Sequence, residues 1–561
     1  MKRKLTCLIL AFVMAFSCFA VVGCSSNSDD ETVEGDTTDE SALTTATLTL
    51  WIPTDKNTTE EAILAVQEAM NKILKAKFET AIELHAIPSD QYEAAVDARL
   101  TEIEEKIAFE EEEAERKRKE AKELAAQGIT TAAEEETTAE TTAAGGEETV
   151  VNDLGMTVLR YPEVEETQMD IFLVRGYDNY KSYIEREALS ALDSEINGTS
   201  KLLKQYIYPS FLTYAKVDGS TYAIPNNHVI GEYKYLLVNK KLVDELYWDP
   251  DELTTLLKCE DFILDVKERT DVTPMLAPVD ASGMTYWSED GGWSLLGSQI
   301  SSDTAYATYC PPKNIYTIRN YVDTFSMMKH LEEADCFAKD PSKVTEFGVG
   351  VLTGDSTLPA QYEEEYYVSV YEKPLLTTGD VYDSMFAVSA YTKSLSRSME
   401  ILTMLNTETE LRTILQYGVE DVHWRKNDAD SSVIDIISKD YKMNLNETGN
   451  VYMTYPGEGI PMTYWEDAKT QNLASQVSPY IAFEHKDYYT DDTKDDFKAL
   501  TELSKEYEDK IAAMTADEFD EIVSDMKKEI NGLDLISKMV NAEGENTPAS
   551  IYFAFHEAKP K

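Results

Sequence analysis

Basic residues are scarce in this chain of 561 residues: 51 Lys and Arg stand against 104 Asp and Glu, a formal net charge of −53. A surface of that sign repels nucleic acid and anionic lipid headgroups, so both are excluded as partners. Cysteine is scarce too. There are six, and Cys7 and Cys18 fall inside the first apolar run, leaving Cys24, Cys259, Cys310 and Cys336. None forms a CxxC or a mixed Cys/His spacing of the kind that holds zinc, and the chain does not rely on disulfides. With six histidines there is no HExxH, and neither a GxSxG nor a phosphate-binding glycine loop occurs. After residue 22 no apolar run approaches 18 residues, so no later segment is expected to span a bilayer.

What is present begins with an address. Lys2, Arg3 and Lys4 precede the apolar stretch of residues 5 to 22, and "VVGCSS" follows. Basic start, apolar middle and small residues at the end read as a cleavable signal over residues 1–23. A retained membrane anchor is the alternative reading, since the stretch is almost long enough to span. Val21-Val22-Gly23-Cys24 resembles the bacterial lipobox, in which the cysteine thiol is acylated and becomes the mature N-terminus; Leu is commoner than Val at its first position. Two acyl chains there would hold the protein on the outer face of a membrane. Residues 24–45, almost all Asp, Glu, Ser and Thr, read as a flexible tether.

Order is expected from "ATLTLWIPTDKNTTEEAILAVQEAMNKI". Leu48, Leu50 and Ile52 alternate as in a strand, and Ile63, Val66, Met70 and Ile73 follow at helical spacing behind a polar cap. "TAIELHAIP" is a second strand, and a second helix starts near Asp90. This strand–helix–strand–helix opening predicts a mostly parallel α/β sheet. The second helix then overruns through "EEKIAFEEEEAERKRKEAKELAA", whose Glu-before-Lys/Arg pairs support it in isolation. Residues 127 to 150, made of Ala, Thr, Glu and Gly, read as disordered and as a tolerated surface insertion, with a contact arm for a partner as the competing reading. "DIFLVRGYDNYKSYIE" predicts a buried strand, a turn and a helix. "YAIPNNHVIGEYKYLLVNKKLVDEL" predicts strand, loop, strand and helix. "MFAVSAYTKSLSRSMEILTMLNTETELRTILQYG" reads as a strand and two helices closed by Gly418. From Asp495 the pattern is amphipathic helix, ending in a strand-like "SIYFAF".

The chain carries 33 Tyr and 6 Trp. Flat rings with a polar edge suit sugar faces, whose C–H groups stack while the hydroxyls take charged or amide partners. "GMTYWSEDGGW" places Tyr286, Trp287 and Trp293 in a glycine-rich stretch, and "MTYWEDAKTQN" does the same for Tyr464 and Trp465; interior packing is the competing reading for each ring. An acid/base carboxylate pair of a hydrolase is left open, since no spacing isolates two among so many acidic residues.

The lipobox, "TLTLWIPTD", "DIFLVRGYDNY", "YAIPNNHVIGEYKYLLVNKKLVDEL", "LTMLNTETELRTILQYGVEDVHW" and "YWEDAKTQNLASQVSP", in this order, resemble extracellular solute-binding proteins. The resemblance is to the carbohydrate-type lipoproteins of Gram-positive ABC importers. It covers most of residues 45 to 100 and 168 to 530; the insertion of residues 104–166 departs from it. It implies an α/β fold of two lobes (type II) with the ligand between them and three hinge crossings, near residues 224 to 235, 386 to 390 and 477 to 481. Lobe 1 would comprise 46–225 and 387–477, and lobe 2 226–386 and 478–561. Arg175, Tyr177 and Asp178 fall where maltodextrin-binding relatives supply an aromatic and an aspartate to the sugar; Val174 stands where such a relative has Trp. Glu232 falls on the crossing strand that carries a sugar-binding glutamate. Trp51, Asn226, Trp287, Trp293 and Trp465 complete the expected ligand contacts. The resemblance implies no enzyme activity and no cofactor, a carbohydrate ligand (an oligosaccharide), a permease partner in the membrane, anchorage through Cys24 and a monomeric chain. A peptide or other polar solute, or a surface glycoside hydrolase or polysaccharide-binding protein, are the alternatives.

Overall fold

The computed structural model describes residues 45–126, 149–151, 157–279, 284–287, 295–299, 313–478, 491 and 493–540. The signal, most of the tether, the "SIYFAF" segment, Cys24, Cys310 and Trp293 lie outside them.

Along the chain, β1 (Ala46–Thr54) is buried continuously from Leu48 onward, the mark of a strand covered on both faces. In α1 (Glu60–Phe78) the Thr59 side chain accepts from the Ala62 N–H, and Val66, Met70 and Leu74 turn inward. β2 (Thr80–Pro88) leads to α2 (Tyr92–Ala126), a helix of 35 residues. β3 (Ile171–Val174), wholly buried, runs into α3 (Tyr177–Glu185) through Gly176 at φ 79°. Then come β4 (Ala223–Pro225), β5 (Tyr233–Asn239) and α4 (Lys240–Leu246), capped by the Asn239 side chain. Next are α5 (Glu260–Arg269), β6 (Thr273–Met275), α6 (Arg319–Glu333), β7 (Phe347–Gly354), β8 (Tyr366–Glu372) and the short β9 (Leu375–Leu376). β10 (Met385–Val388) precedes α7 (Leu395–Thr407) and α8 (Thr409–Tyr417), which Gly418 closes at φ 81°. α9 (Tyr464–Ala474), β11 (Gln476–Val477), α10 (Lys494–Ala513) and α11 (Phe519–Gly532) follow.

Two sheets organise these elements. The first has the order β2-β1-β3-β10-β4, all parallel except β10, which runs antiparallel between β3 and β4. The second has the order β8-β5-β7-β6, with only β7 and β6 parallel. Each has its own core: Leu48, Leu50, Phe172, Phe386 and Leu402 around the first, Leu236, Val238, Phe262, Met275 and Val349 around the second. A helical core of Ile315, Tyr507, Phe519, Met526 and Ile530 adjoins the second through α6, whose Tyr321 packs in one and Met327 in the other.

Three connections join the lobes. Residues 226 to 232 link β4 to β5, as the sequence predicts. The second lies upstream of residues 386 to 390, which form and follow the middle strand β10. "MFAV" is apolar on both faces and is consumed inside the first sheet; the crossing is the preceding stretch through β9, where Thr377 and Asp380 close a capping box. The third, expected at residues 477 to 481, begins at the end of β11, which pairs in parallel with β9; residues 479 to 481 lie outside those described. Of the stretch read as disordered, 127 to 148 lie outside the described residues, while Thr149 and Val150 form a strand paired with Thr157–Leu159. Cys259 and Cys336 are free and buried, and burial pushes the Cys259 thiol up to about 12.

Candidate functional site

In a parallel sheet, ligands gather beyond the carboxyl ends of the strands, where backbone N–H groups and loop side chains converge. At that end of the first sheet, Arg175 follows β3. Its Nε donates to Glu93 Oε1 at 2.6 Å, Nη1 to Ser89 Oγ at 2.7 Å and to Glu447 Oε1 at 3.2 Å, and Nη2 to the Ser89 carbonyl at 2.9 Å. Glu447 is nearly buried; desolvation raises its carboxyl pKa against the pull of Arg175, with Asp383 adding to the rise. Beside it, Asn446 Nδ2 donates to Asp383 Oδ2 at 3.2 Å, and the Asn446 carbonyl accepts from Asn226 Nδ2 at 3.0 Å and from Ser384 Oγ. Tyr177 meets Tyr382 edge-on with centroids 5.0 Å apart, and Asp178 is exposed in the first turn of α3.

The end of the second sheet presents a matching rim. Tyr233 pairs with Gly354, which sets Glu232, just before β5, alongside Asp355, just after β7. Tyr464, the first residue of α9, hydrogen-bonds Asp355; burial first, then Asp355 and Glu232, push its hydroxyl pKa up. Tyr235 Oη donates to the Asp355 carbonyl at 3.2 Å and its ring stacks on Tyr233.

The crossing between the rims is held by α9. Gln471 Nε2 donates to the carbonyls of Ile230 and Gly231 at 3.1 and 2.6 Å, and Oε1 accepts from Ser356 N–H at 3.2 Å. Asn472 Oδ1 accepts from Ile230 N–H at 2.8 Å, and its Nδ2 donates to the His228 carbonyl at 2.8 Å. Where Asn226 turns to Ser384 and Asn446, Asn227 turns to Tyr206 and Tyr208. These two tyrosines, with Asn450, Tyr452 and Lys469, line a cavity of about 420 Å³.

Of the residues expected from sequence, Arg175, Tyr177 and Asp178 gather at the first rim and Glu232 at the second. Asn226 is fully buried between them and acts as a brace, with its Oδ1 unpaired. Two of the expected tryptophans are buried. Trp51 lies within β1, 5% exposed, stacked on His85 at 4.5 Å; a strand residue of a sheet covered on both faces has no open ring. Trp465 is 4% exposed, edge-on to Tyr452, and donates its Nε1 hydrogen to the Thr454 carbonyl at 2.7 Å. Trp287 ends a strand (Met284–Trp287) paired with Leu296–Gln299. Trp293 and Cys24 lie outside the described residues. Sequence reasoning missed Asp355, Asp383, Asn446 and Glu447. The asparagine density of "NLNETGN" was the available signal, for Asn444 and Asn450 each cap a helical turn there. No group of three or more His, Cys, Asp or Glu able to hold a metal occurs among the described residues.

Two α/β lobes joined by three crossings make the solute-binding-protein fold. The solved N-glycan transport solute-binding protein NgtS of Streptococcus pneumoniae shares it: TM-score 0.53 and 16% identity, over 92% of this chain and 99% of that one. In sequence the chain is similar to a carbohydrate ABC transporter substrate-binding protein of Streptococcus pneumoniae serotype 4. The identity is 21% over 379 residues, 65% of this chain and 76% of the relative. The resemblance drawn from the motifs is thus upheld in fold and relatives. No family model matches the chain.

Proposed function

We propose that this protein is the extracellular, lipid-anchored receptor of an ABC importer, closing its lobes on a carbohydrate, an oligosaccharide, and handing it to a membrane permease without covalent chemistry. The observation that carries this reading is the pair of rims, Arg175, Tyr177 and Asp178 against Glu232, Asp355 and Tyr464, at the two ends of one crossing of seven residues, 226 to 232. Carboxylates and amides beside tyrosine rings match sugar hydroxyls and sugar faces together. Hinge bending at the crossings would bring the rims onto one ligand. The similarity to a carbohydrate-transport receptor supports the same class of ligand.

The test is calorimetry against a panel of neutral oligosaccharides and peptides. A sugar should bind and be recovered intact. Asp178→Ala and Glu232→Ala, each folded by circular dichroism, should weaken it about tenfold or more, since a charge-assisted hydrogen bond is worth roughly 1.5 to 3 kcal/mol. Wild-type affinity in both variants would move the site elsewhere; binding of peptides alone would replace the ligand class.

A further inference from the structure

The helix α2 outruns the body it packs on. Ile103 is buried and Lys106 Nζ makes a last bond to Thr167 Oγ1, but from residue 105 to 120 every position is exposed except Glu113. About 16 residues of helix, roughly 24 Å, therefore project without packing. The charges on this arm are segregated: Glu110, Glu111, Glu112, Glu113 and Glu115 precede Arg116, Lys117, Arg118 and Lys119. Within the helix, Glu113 pairs with Arg116 and Lys117, Arg116 also with Glu120, and Glu115 with Lys119. Glu110, Glu111 and Arg118 make no ion pair among the described residues, and Glu111 stands at i,i+4 from a like charge, Glu115, which is destabilising.

At about 100° per residue, Ile107 and Ala114 lie on one stripe. Glu111 and Arg118 flank it on one side, Glu110 and Lys117 on the other. The order of charge along each flank reverses about Ala114. We infer that this face is a self-pairing surface: two copies of the chain associate through antiparallel α2 arms about a two-fold axis near Ala114. Each flank then meets the same flank of its mate, with Glu111 opposite Arg118 and Glu110 opposite Lys117, twice over. No other partner needs to be invoked, because the face is complementary to itself. The stripe is narrow, one isoleucine and one alanine, so the association is weak, electrostatic and salt-sensitive, and belongs to a crowded surface more than to dilute solution.

The full chain carrying Ala114→Cys should form a disulfide-linked dimer under mild oxidation, about tenfold more than the parent chain or an exposed Glu61→Cys control. About 0.5 M salt should suppress it. Adding Glu110→Lys with Glu111→Lys should abolish the dimer, and so should Lys117→Glu with Arg118→Glu. Mixing the two reversed proteins should restore a mixed dimer. That rescue separates pairing between chains from damage to the helix itself. An Ala114→Cys protein that stays monomeric, a dimer indifferent to charge reversal, or a mixture that fails to pair would each overturn the inference.

Discussion

A carboxyl held out of water beside a guanidinium feels two opposed forces, and Glu447 shows which wins. Burial raises its pKa above the ordinary 4.5, and the Arg175 charge at 3.2 Å offsets only part of that. A folded-state acid with a raised pKa binds its proton more tightly than the unfolded chain does. Its stabilising contribution is therefore full below the unfolded value and is lost as pH rises through the folded one. Glu447→Gln keeps an oxygen for Arg175 and removes the titration. Thermal melts should show the variant more stable than wild type at neutral pH, the gap closing as pH falls through the raised folded value towards 4.5. A gap that persisted at low pH would mean that packing, not ionisation, distinguishes them. The same neighbourhood shows why the site was only half legible in sequence. Arg175, Tyr177 and Asp178 adjoin a recognisable apolar strand, and Glu232 adjoins another. Glu447 and Asp383 reach the rim from loops far along the chain, through pairings that no local pattern announces. Trp51 and Trp465 are buried, and a large ring reads alike in sequence whether it serves a core or a ligand; the less buried member of the second pair is the half-buried Tyr464.

At the scale of elements, the α9 helix does what its sequence conceals. Its apolar content is slight, and its two inward amides, Gln471 and Asn472, bond the backbone of the first crossing, Asn472 Nδ2 also reaching Tyr452 Oη at 2.8 Å. Gln471 also holds the turn after β7 through Ser356 N–H, so one side chain ties the crossing to the second sheet. Gln471→Ala leaves the buried Ile230 carbonyl, and the more accessible Gly231 carbonyl and Ser356 amide, without this partner, a cost of about 1 to 3 kcal/mol. Denaturant titration should register that loss with helical content unchanged, and ligand affinity should fall with it; a neutral substitution would show that water replaces the amide. Strands and helices themselves were well marked, because caps such as Thr59, Ser394 and Gly418 and runs such as "IFLV" are local signals. The second crossing was misplaced for a complementary reason. A strand returning to the middle of an earlier sheet looks locally like any other buried strand, and only its partners β3 and β4 reveal which lobe owns it.

For the whole molecule, the proposal that remains to be tested is how so acidic a chain would be held at a membrane. A charge of −53 is repelled by anionic headgroups, and no helix of the described residues is long and apolar enough to cross a bilayer. Adhesion by basic patches or by a later span is thus not offered by these residues. On the proposed reading the thiol of Cys24, behind the apolar run and "VVG", is the point of attachment. A single acyl chain binds only marginally, whereas a diacylated cysteine gives stable anchorage. Fractionation of cells expressing the wild type should find the protein with the membrane, released by detergent and not by high salt, and labelled by a supplied fatty acid. Cys24→Ala should carry no label and should appear either in the medium or as an uncut precursor. A Cys24→Ala protein that remained membrane-bound at mature length would show that some other segment anchors the chain.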